Sequence, residues 1–462
     1  MSTNKTTASS SNYFKLTVMM VLEFFIWGAW LPLIFGYLPS LGFSAELPPK
    51  PFDTLFPSRI AWFFSEQSLI LNAFPFAAIV GMFFSNQFAD RNFAAEKFLG
   101  FSHLVGGLAI LALGFVTSFW AFFALMLLHC ILYVPTISIT NSIAFTHMKD
   151  SKDFGRVRMG GTIGWILAAW PFVFILVDWA KVRDKNPRGM VDWLSTVLAT
   201  PLVGDVLKQE TRWTYIVAGI ASLLLAAFSF VLPHTPPKVV NEMADGGGNR
   251  LAWLEALKVL RHPFILVLWV VTLIDAFVHN CYFNWTGEFL QSKDVGIPGN
   301  WVQPVMSIGQ VAEILTMLVL GSVLKKFGWK FTMIVGILGH VARFATYAYF
   351  PSHPMLIISI QILHGICYAF FFATVYIFVD EYLPKDARSS AQGLFNFMIL
   401  GVGALLANAI CPYLRQTVYV KNNVVDYHGL FMIPLELGLL GAGLLLLFFW
   451  PPAKATEPEA KS

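Results

Sequence analysis

Twelve long apolar stretches interrupt the 462-residue chain, near 14–39, 66–89, 97–118, 119–142, 158–180, 213–233, 263–291, 302–324, 331–350, 353–380, 390–416 and 426–450. Each approaches or exceeds the ~20 residues that a helix needs to cross a bilayer. Hydrocarbon offers no water to backbone N–H and C=O groups, so segments of this length must satisfy their own hydrogen bonds as helices. The sequence is that of an all-α polytopic membrane protein with about twelve transmembrane helices. A composition of 56% hydrophobic and 13% charged residues is far too apolar for a soluble chain of this size.

Charge sets the expected orientation. The first ten residues, MSTNKTTASS, are polar, and the first apolar stretch is a full span without a small-residue cleavage site, so no removable signal peptide is expected. Arg91 and Lys97, then Lys149, Lys152 and Arg156, then Lys325, Lys326 and Lys330, then Lys385 and Arg388 fall in alternate short connections. The positive-inside rule places those connections, and both termini, in the cytoplasm. In the stretch 181–212, Lys181, Arg183, Lys185 and Arg188 alternate with Asp184, Asp192, Asp205 and Glu210, as in a small external amphipathic cap. Cys130, Cys281, Cys367 and Cys411 lie inside apolar segments at unrelated spacings, which fits packing and neither a disulfide framework nor a zinc site. The cytoplasmic loops account for the net charge of +4, so nucleic acid is not an expected partner.

The chain repeats itself. Leu128-His129-x-Ile131-x-Tyr133 in the fourth span recurs 235 residues later as Leu363-His364-x-Ile366-x-Tyr368 in the tenth. Asp90, in the turn after the second span, precedes Lys325, in the turn after the eighth, by the same 235 residues; Arg156 and Gly161 precede Arg388 and Gly393 by 232. A nearly constant displacement of half the chain implies two pseudo-symmetric six-helix halves, the parallel repeat of the major facilitator fold. The expected division is a bundle over 1–233 with the insertion 181–212, a cytoplasmic linker over 234–262, a second bundle over 263–450 and a tail over 451–462. The linker is rich in Pro, Gly and charge, and its part from Leu251 to Leu260 fits a short interfacial helix. In such a fold the substrate lies near the bilayer midplane between the halves, which rock to alternate access.

Polar residues inside apolar spans are expensive and mark sites. Gln310 and Glu313 are three apart in VQPVMSIGQVAEILTMLVLG, on one helical face. In RMGGTIGW, Arg158, Thr162 and Trp165 share a face and offer an ionic donor, a hydroxyl and a stacking surface, while Gly160, Gly161 and Gly164 admit a neighbouring helix closely. The alternative for Arg158 is snorkelling to the cytoplasmic phosphates. Asn280 and Asn284 stand at i,i+4, for ligand contact or for interhelical bonding. With His364 and Tyr368 these groups suit a flat base, its amide-like edges and a ribose diol. His129 and Tyr133 fit packing or bundle hydrogen bonds. No phosphate-cradling glycine loop, paired metal-ligand motif or nucleophile with its base is present in the sequence, so neither an enzyme nor a cofactor is expected.

The segments IWGAWLP (Ile26–Pro32), YVPTISITNSI (Tyr133–Ile143), RMGGTIGW (Arg158–Trp165), SIGQVAE (Ser307–Glu313), ARF (Ala342–Phe344) and ARSSAQG (Ala387–Gly393) resemble those of the bacterial nucleoside permeases, the nucleoside:proton symporter family of the major facilitator superfamily. The likeness runs from about Val21 to the last span. It implies import of a nucleoside with protons by a monomer in a bacterial inner membrane. It also implies a substrate role for Arg158 and Thr162, with Trp165 at an aromatic position, and for the eighth-span Gln310 and Glu313. The family's tenth-span Tyr-Gly-x-x-Phe pocket corresponds to His364, Gly365 and Tyr368. Asp90 and Arg91 partly match the superfamily's gating loop, with Ser85 where the motif begins with glycine.

Two departures stand out. The position of the family's tenth-span aspartate is Ala369, and the seventh-span Gln-x-x-Asn pair reads Asn280-x-x-Phe283 with Asn284 one place later. Glu313 is therefore the expected proton-coupling carboxylate, with Asp275, His279, Glu23 and the naturally titrating His364 as other candidates. For these the competing structural readings are an Asp275–His279 pair and a Glu23–Arg343 pair. Transport of another polar solute, such as an oligosaccharide or a nucleobase, and a nucleoside-binding sensor that transports nothing are the competing functions.

Overall fold

A computed structural model describes residues 10–81, 93–148, 154–237, 258–382 and 392–451. The expected gating residues Asp90 and Arg91, and most of the expected linker, lie outside these residues. Among the described residues ten helices are long and apolar enough to cross a membrane, and a pair bent by 78° makes an eleventh. One of the ten, Val302–Tyr349, runs for 48 residues. At 1.5 Å per residue that is about 70 Å, over twice the ~30 Å thickness of hydrocarbon. Its one non-helical residue, Gly328 at φ 74° and ψ 174°, supplies the left-handed backbone that breaks it into two crossings. The break falls within the expected division at 325–330, and counting the two crossings separately gives twelve spans among the described residues.

We number the spans α1 (Ser10–Ser40), α2 (the bent pair Glu66–Leu71 and Ala73–Val80), α3 (Ala95–Leu113), α4 (Phe119–His147), α5 (Phe154–Ala169, then Pro171–Ile175) and α6 (Trp213–Phe228). The second set is α7 (Pro263–Leu290), α8 (302–327), α9 (329–349), α10 (Pro354–Tyr382), α11 (Gln392–Val418) and α12 (Tyr427–Phe448). Between α5 and α6 the insertion folds into three short helices, Trp179–Asp184, Gly189–Leu198 and Gly204–Glu210. They mark what we call the cap end of the bundle.

Lipid tails are as apolar as leucine, so helices associate through close packing rather than the hydrophobic effect. Gly160 and Gly164 of α5 form a Gly-x-x-x-Gly surface on α1: a Cβ on Gly160 would lie 2.9 Å from the Thr17 carbonyl oxygen, and one on Gly164 would overlap the Val21 carbonyl. Within the first half α1 packs on α5 and α3 on α6; within the second, α7 packs on α11 and α12. Between halves α1 meets α7, α2 meets α11 and α5 meets α8. This is the arrangement of the major facilitator fold, with a cleft between two helix sets.

Hydrogen bonds join the halves at the cap end. Gln67 and Gln416 exchange amide bonds of 3.0 and 2.7 Å, Thr417 donates to Glu46 at 2.8 Å, and Asn408 donates to the Leu71 carbonyl at 3.0 Å. Trp301 donates to the Leu198 carbonyl at 3.2 Å and Asn300 to the Val173 carbonyl at 3.3 Å, which ties a cap helix and the end of α5 to the entrance of α8.

Candidate substrate site

Three residues of α8, Gln303, Ser307 and Gln310, follow the spacing i, i+4, i+7 and so line one face. That face borders a narrow cleft between the halves, about 10 Å³ and so with room for about one water, lined also by Gly28 and Pro32 of α1, Trp165 of α5, and Tyr282 and Phe283 of α7. Its aromatic wall, Trp165 and Phe283 at 6.3 Å, is backed by further rings: Trp165 meets Trp27 edge-on at 5.3 Å, and Trp27 stacks on Phe74 at 4.6 Å. Gln303 donates its amide to the Ala29 carbonyl at 3.0 Å across the interface between the halves. The Oε1 atoms of Gln303 and Gln310 and the Nε1 atoms of Trp27 and Trp30 are buried without a hydrogen-bond partner. Buried polar atoms in proteins are normally bonded, so the two glutamine oxygens, which line the cleft, are acceptors available to a polar ligand.

Toward the other end of the cleft, the Arg158 guanidinium turns inward onto the Phe24 ring, 4.0 Å from its centroid. It is near enough to act electrostatically on Glu313 and Tyr368. Glu313 lies one helical turn from Gln310 and is half-buried, as are Thr162 and Trp165 on the α5 face opposite. The backbone of Ala312–Glu313 is packed directly on Gly365 of α10. Arg158, Trp165, Gln310 and Glu313 thus come together from both halves.

Other expected residues are engaged elsewhere. Asn284 donates to the Asn280 carbonyl at 3.0 Å and to Asn408 Oδ1 at 3.2 Å, so its NH2 group binds α7 to α11, and its Oδ1 alone lacks a partner. Asn280 donates to the Ala276 carbonyl at 2.8 Å. His364 is buried under Tyr282, with ring centroids 4.5 Å apart, and bonded to Arg343 at 3.0 Å. Tyr368 is half-buried and opens a π-helical turn, Tyr368–Ala373, after which the Thr374 hydroxyl donates back to the Ala369 carbonyl at 3.2 Å. Such turns are frequent at functional sites.

The two expected ion pairs are not formed. Asp275 faces His340 of α9, with Nε2 and Oδ2 3.7 Å apart, while His279 stacks on His364 at 5.0 Å. Glu23 accepts from Thr136 at 2.8 Å and pairs with His103 Nε2 at 2.9 Å. Arg343 sits on α9 in the other half, where it bonds His340 at 2.8 Å. The reason is geometric: Glu23 packs inside its own half against α3 and α4, and sequence distance carries no information about which half a side chain faces. His103, His340 and Trp27 escaped the sequence reading, as did Gln303, which the α8 spacing alone reveals. Among the cysteines, Cys281 and Cys411 touch, Sγ to Sγ, at 3.6 Å.

Comparison with known proteins agrees with this architecture. The family model described as nucleoside H+ symporter matches residues 11–200 and 188–454. Among relatives, an Escherichia coli protein named nucleoside transporter YegT is 29% identical over 448 residues, covering 94% of this chain and 93% of its own. The nucleoside permease NupG of E. coli is 24% identical and covers 91% of both chains. The xanthosine permease of E. coli is 25% identical, covering 96% of this chain and 97% of its own. Among solved structures, nucleoside transporter NupG in an aspartate-to-alanine form superposes with a TM-score of 0.76 at 22% identity over 95% of this chain and all of that one. A D-xylose–proton symporter superposes at 0.63 and 15% identity over 95% and 98%.

Proposed function

The chain belongs to the nucleoside proton symporter family, and from that premise we propose that it imports nucleosides together with protons across the inner membrane of a bacterium, with the cap end outside. The observation that carries this reading is the aromatic-walled cleft between the halves, with unpaired amide oxygens on one side and a carboxylate–guanidinium couple at its far end. A nucleoside needs the same set: a face to stack on, acceptors for its base N–H groups and its hydroxyls, and few other polar demands. Trp165 and Phe283 form the stacking surface. Gln303 and Gln310 read polar edges, Thr162 and Asn280 add hydrogen bonds at the cleft wall, and Arg158 donates to a substrate oxygen. Glu313 takes the proton. His364 and Tyr368 back the pocket, and Asn284 anchors α7 to α11 beside it.

The cap-end bonds between Gln67 and Gln416, and between Thr417 and Glu46, support a conformation closed on that side. Alternating access then consists of breaking these bonds while the opposite end closes, with the site held near the midplane.

Uptake of labelled uridine and adenosine into proteoliposomes, with and without an inward proton gradient and a protonophore, tests this reading. Accumulation that depends on the gradient is the expected result. Equilibration indifferent to the gradient would leave a facilitator. Competition by free ribose or free base, but not by the intact nucleoside, would replace the substrate class.

A further inference from the structure

The internal repeat extends to a buried pair of acid and histidine. Glu23 on α1 bonds His103 on α3; Asp275 on α7 faces His340 on α9. These positions correspond. Helices α1 and α7 begin at Ser10 and Pro263, 253 residues apart, and the two acids are 252 apart. The longer connection after α1 lowers the offset thereafter, to 237 for the two histidines and 235 for His129 and His364. Even the ring contacts repeat: Trp30 packs edge-on to His129 as Tyr282 packs on His364.

The two copies differ in how fully they are satisfied. In the first half Glu23 has Thr136 on one oxygen and His103 on the other, His103 continues to Ser222 at 2.9 Å, and His129 bonds the Gly106 carbonyl at 3.0 Å. In the second half the residue at Gly106's position is Arg343, fully buried. Its guanidinium bonds His340 Nδ1 at 2.8 Å and His364 Nδ1 at 3.0 Å and lies 4.2 Å over the Tyr282 ring. Both carboxylate oxygens of Asp275, Nε2 of His340, Nε of Arg343 and Nδ1 of His279 are buried without a hydrogen-bond partner.

Arginine only donates, so both Nδ1 atoms accept and the neutral rings carry their protons on Nε2. Neither histidine can take another proton without surrendering its bond to Arg343. Among the described residues, the open acceptor beside that buried charge is the Asp275 carboxylate, and the half-buried imidazole with a free nitrogen near it is His279, one turn along α7. We propose that Asp275 is the proton-carrying carboxylate of a second coupling site, loaded from the cleft through His279 and joined to the substrate pocket by Arg343, His364 and Tyr282. Loading turns the carboxylate into a neutral carboxyl and leaves the cluster with the net positive charge of Arg343; unloading restores neutrality. A lone buried charge is costly, so the packing of α9 against α7 and α10 follows the proton.

Asp275 is faced from α9 by His340 and Arg343 and from α10 by Cys367. The other elements on α7 leave it alone: Glu436 of α12 and Arg261 before α7 are exposed, Cys411 of α11 touches Cys281, and Glu23 of α1 is bound to His103. The first-half pair, with every oxygen bonded, is structural by the same argument.

This inference rests on the symport reading, and the experiment separates the two. Full-length protein carrying Asp275→Asn in proteoliposomes is expected to lose about tenfold in uridine accumulation per pH unit of gradient for each proton no longer carried. Counterflow exchange persists in part, and Asp275→Glu recovers gradient-driven accumulation. In infrared difference spectra, the carboxyl band that appears when wild type is acidified loses one component in Asp275→Asn. Wild-type accumulation in Asp275→Asn, or an unchanged carboxyl band, overturns the assignment. A wild type that moves no nucleoside defeats the symport reading instead, and the infrared band then decides the protonation of Asp275 by itself. Glu23→Gln is expected to lower the thermal midpoint more than it lowers the accumulation ratio; the reverse pattern between the two acids would transfer the proton site to the first half.

Discussion

Arg158 illustrates how one side chain divides two readings. A basic residue at the start of a span serves lipid phosphates by default, yet here the guanidinium rests on Phe24 and faces Glu313 across the cleft. Hydrogen bonds to a charged donor contribute about 1.5–3 kcal/mol, so Arg158→Ala should weaken nucleoside binding about tenfold to a hundredfold, read by a titration of the detergent-purified protein. Arg158→Lys should recover little of this, because an ammonium lacks the planar fork. Glu313→Gln keeps shape and removes the exchangeable proton; gradient-driven accumulation should fall by about tenfold per pH unit of gradient while exchange of preloaded substrate continues in part, as measured in the same vesicles with and without a protonophore. Gln310, Glu313, Arg158 and Trp165 were legible in the sequence because a polar group in an apolar span has few places to go. The role of Asn284 was not, since ligand contact and interhelical bonding use the same amide and only the position of Asn408 separates them.

Packing at the level of elements rests on backbone approach. Gly164 meets the Val21 carbonyl of α1, and a backbone cannot step aside as a flexible side chain can. Gly164→Ala should therefore cost about 1–3 kcal/mol of stability, seen as a lower thermal midpoint. In the cap, Asp178 starts the helix Trp179–Asp184 by accepting the Lys181 backbone N–H at 3.1 Å and its ammonium at 3.0 Å. Those contacts hold its carboxyl below the ordinary 3.8. A carboxylate lowered in the folded state stabilises above its unfolded value and ceases to do so as pH falls through the folded one. Amide exchange at Lys181 should thus accelerate, relative to the intrinsic rate, only below about pH 4, and Asp178→Asn should show no such step. The division at Gly328 was legible from the basic run Lys325–Lys330 between two apolar stretches; that a single left-handed residue makes it in place of a loop was not, because hydropathy does not record φ.

For the molecule as a whole, the bonds at the cap end predict a lock. Cysteines in place of Gln67 and Gln416, joined by a short bifunctional thiol reagent, should abolish transport and leave binding intact, and a reducible reagent should restore flux on reduction. Transport unaffected by the cross-link would mean that the halves do not separate there. The four native cysteines are buried, which favours selective reaction at the new pair.

The sequence by itself determined that the chain crosses a membrane about twelve times, that it does so in two related halves, and that a handful of polar residues lies at depth. These follow from local quantities: segment length, polarity and a constant displacement. Tertiary structure decided which of those polar residues meet. It brought Gln303 into the cleft wall and Trp27 against Trp165, gave Glu23 to His103, and set Asp275 beside His340 and Arg343. The partner of a buried polar group is chosen by helix rotation and by which half it faces, and neither is written in the spacing of residues along one span.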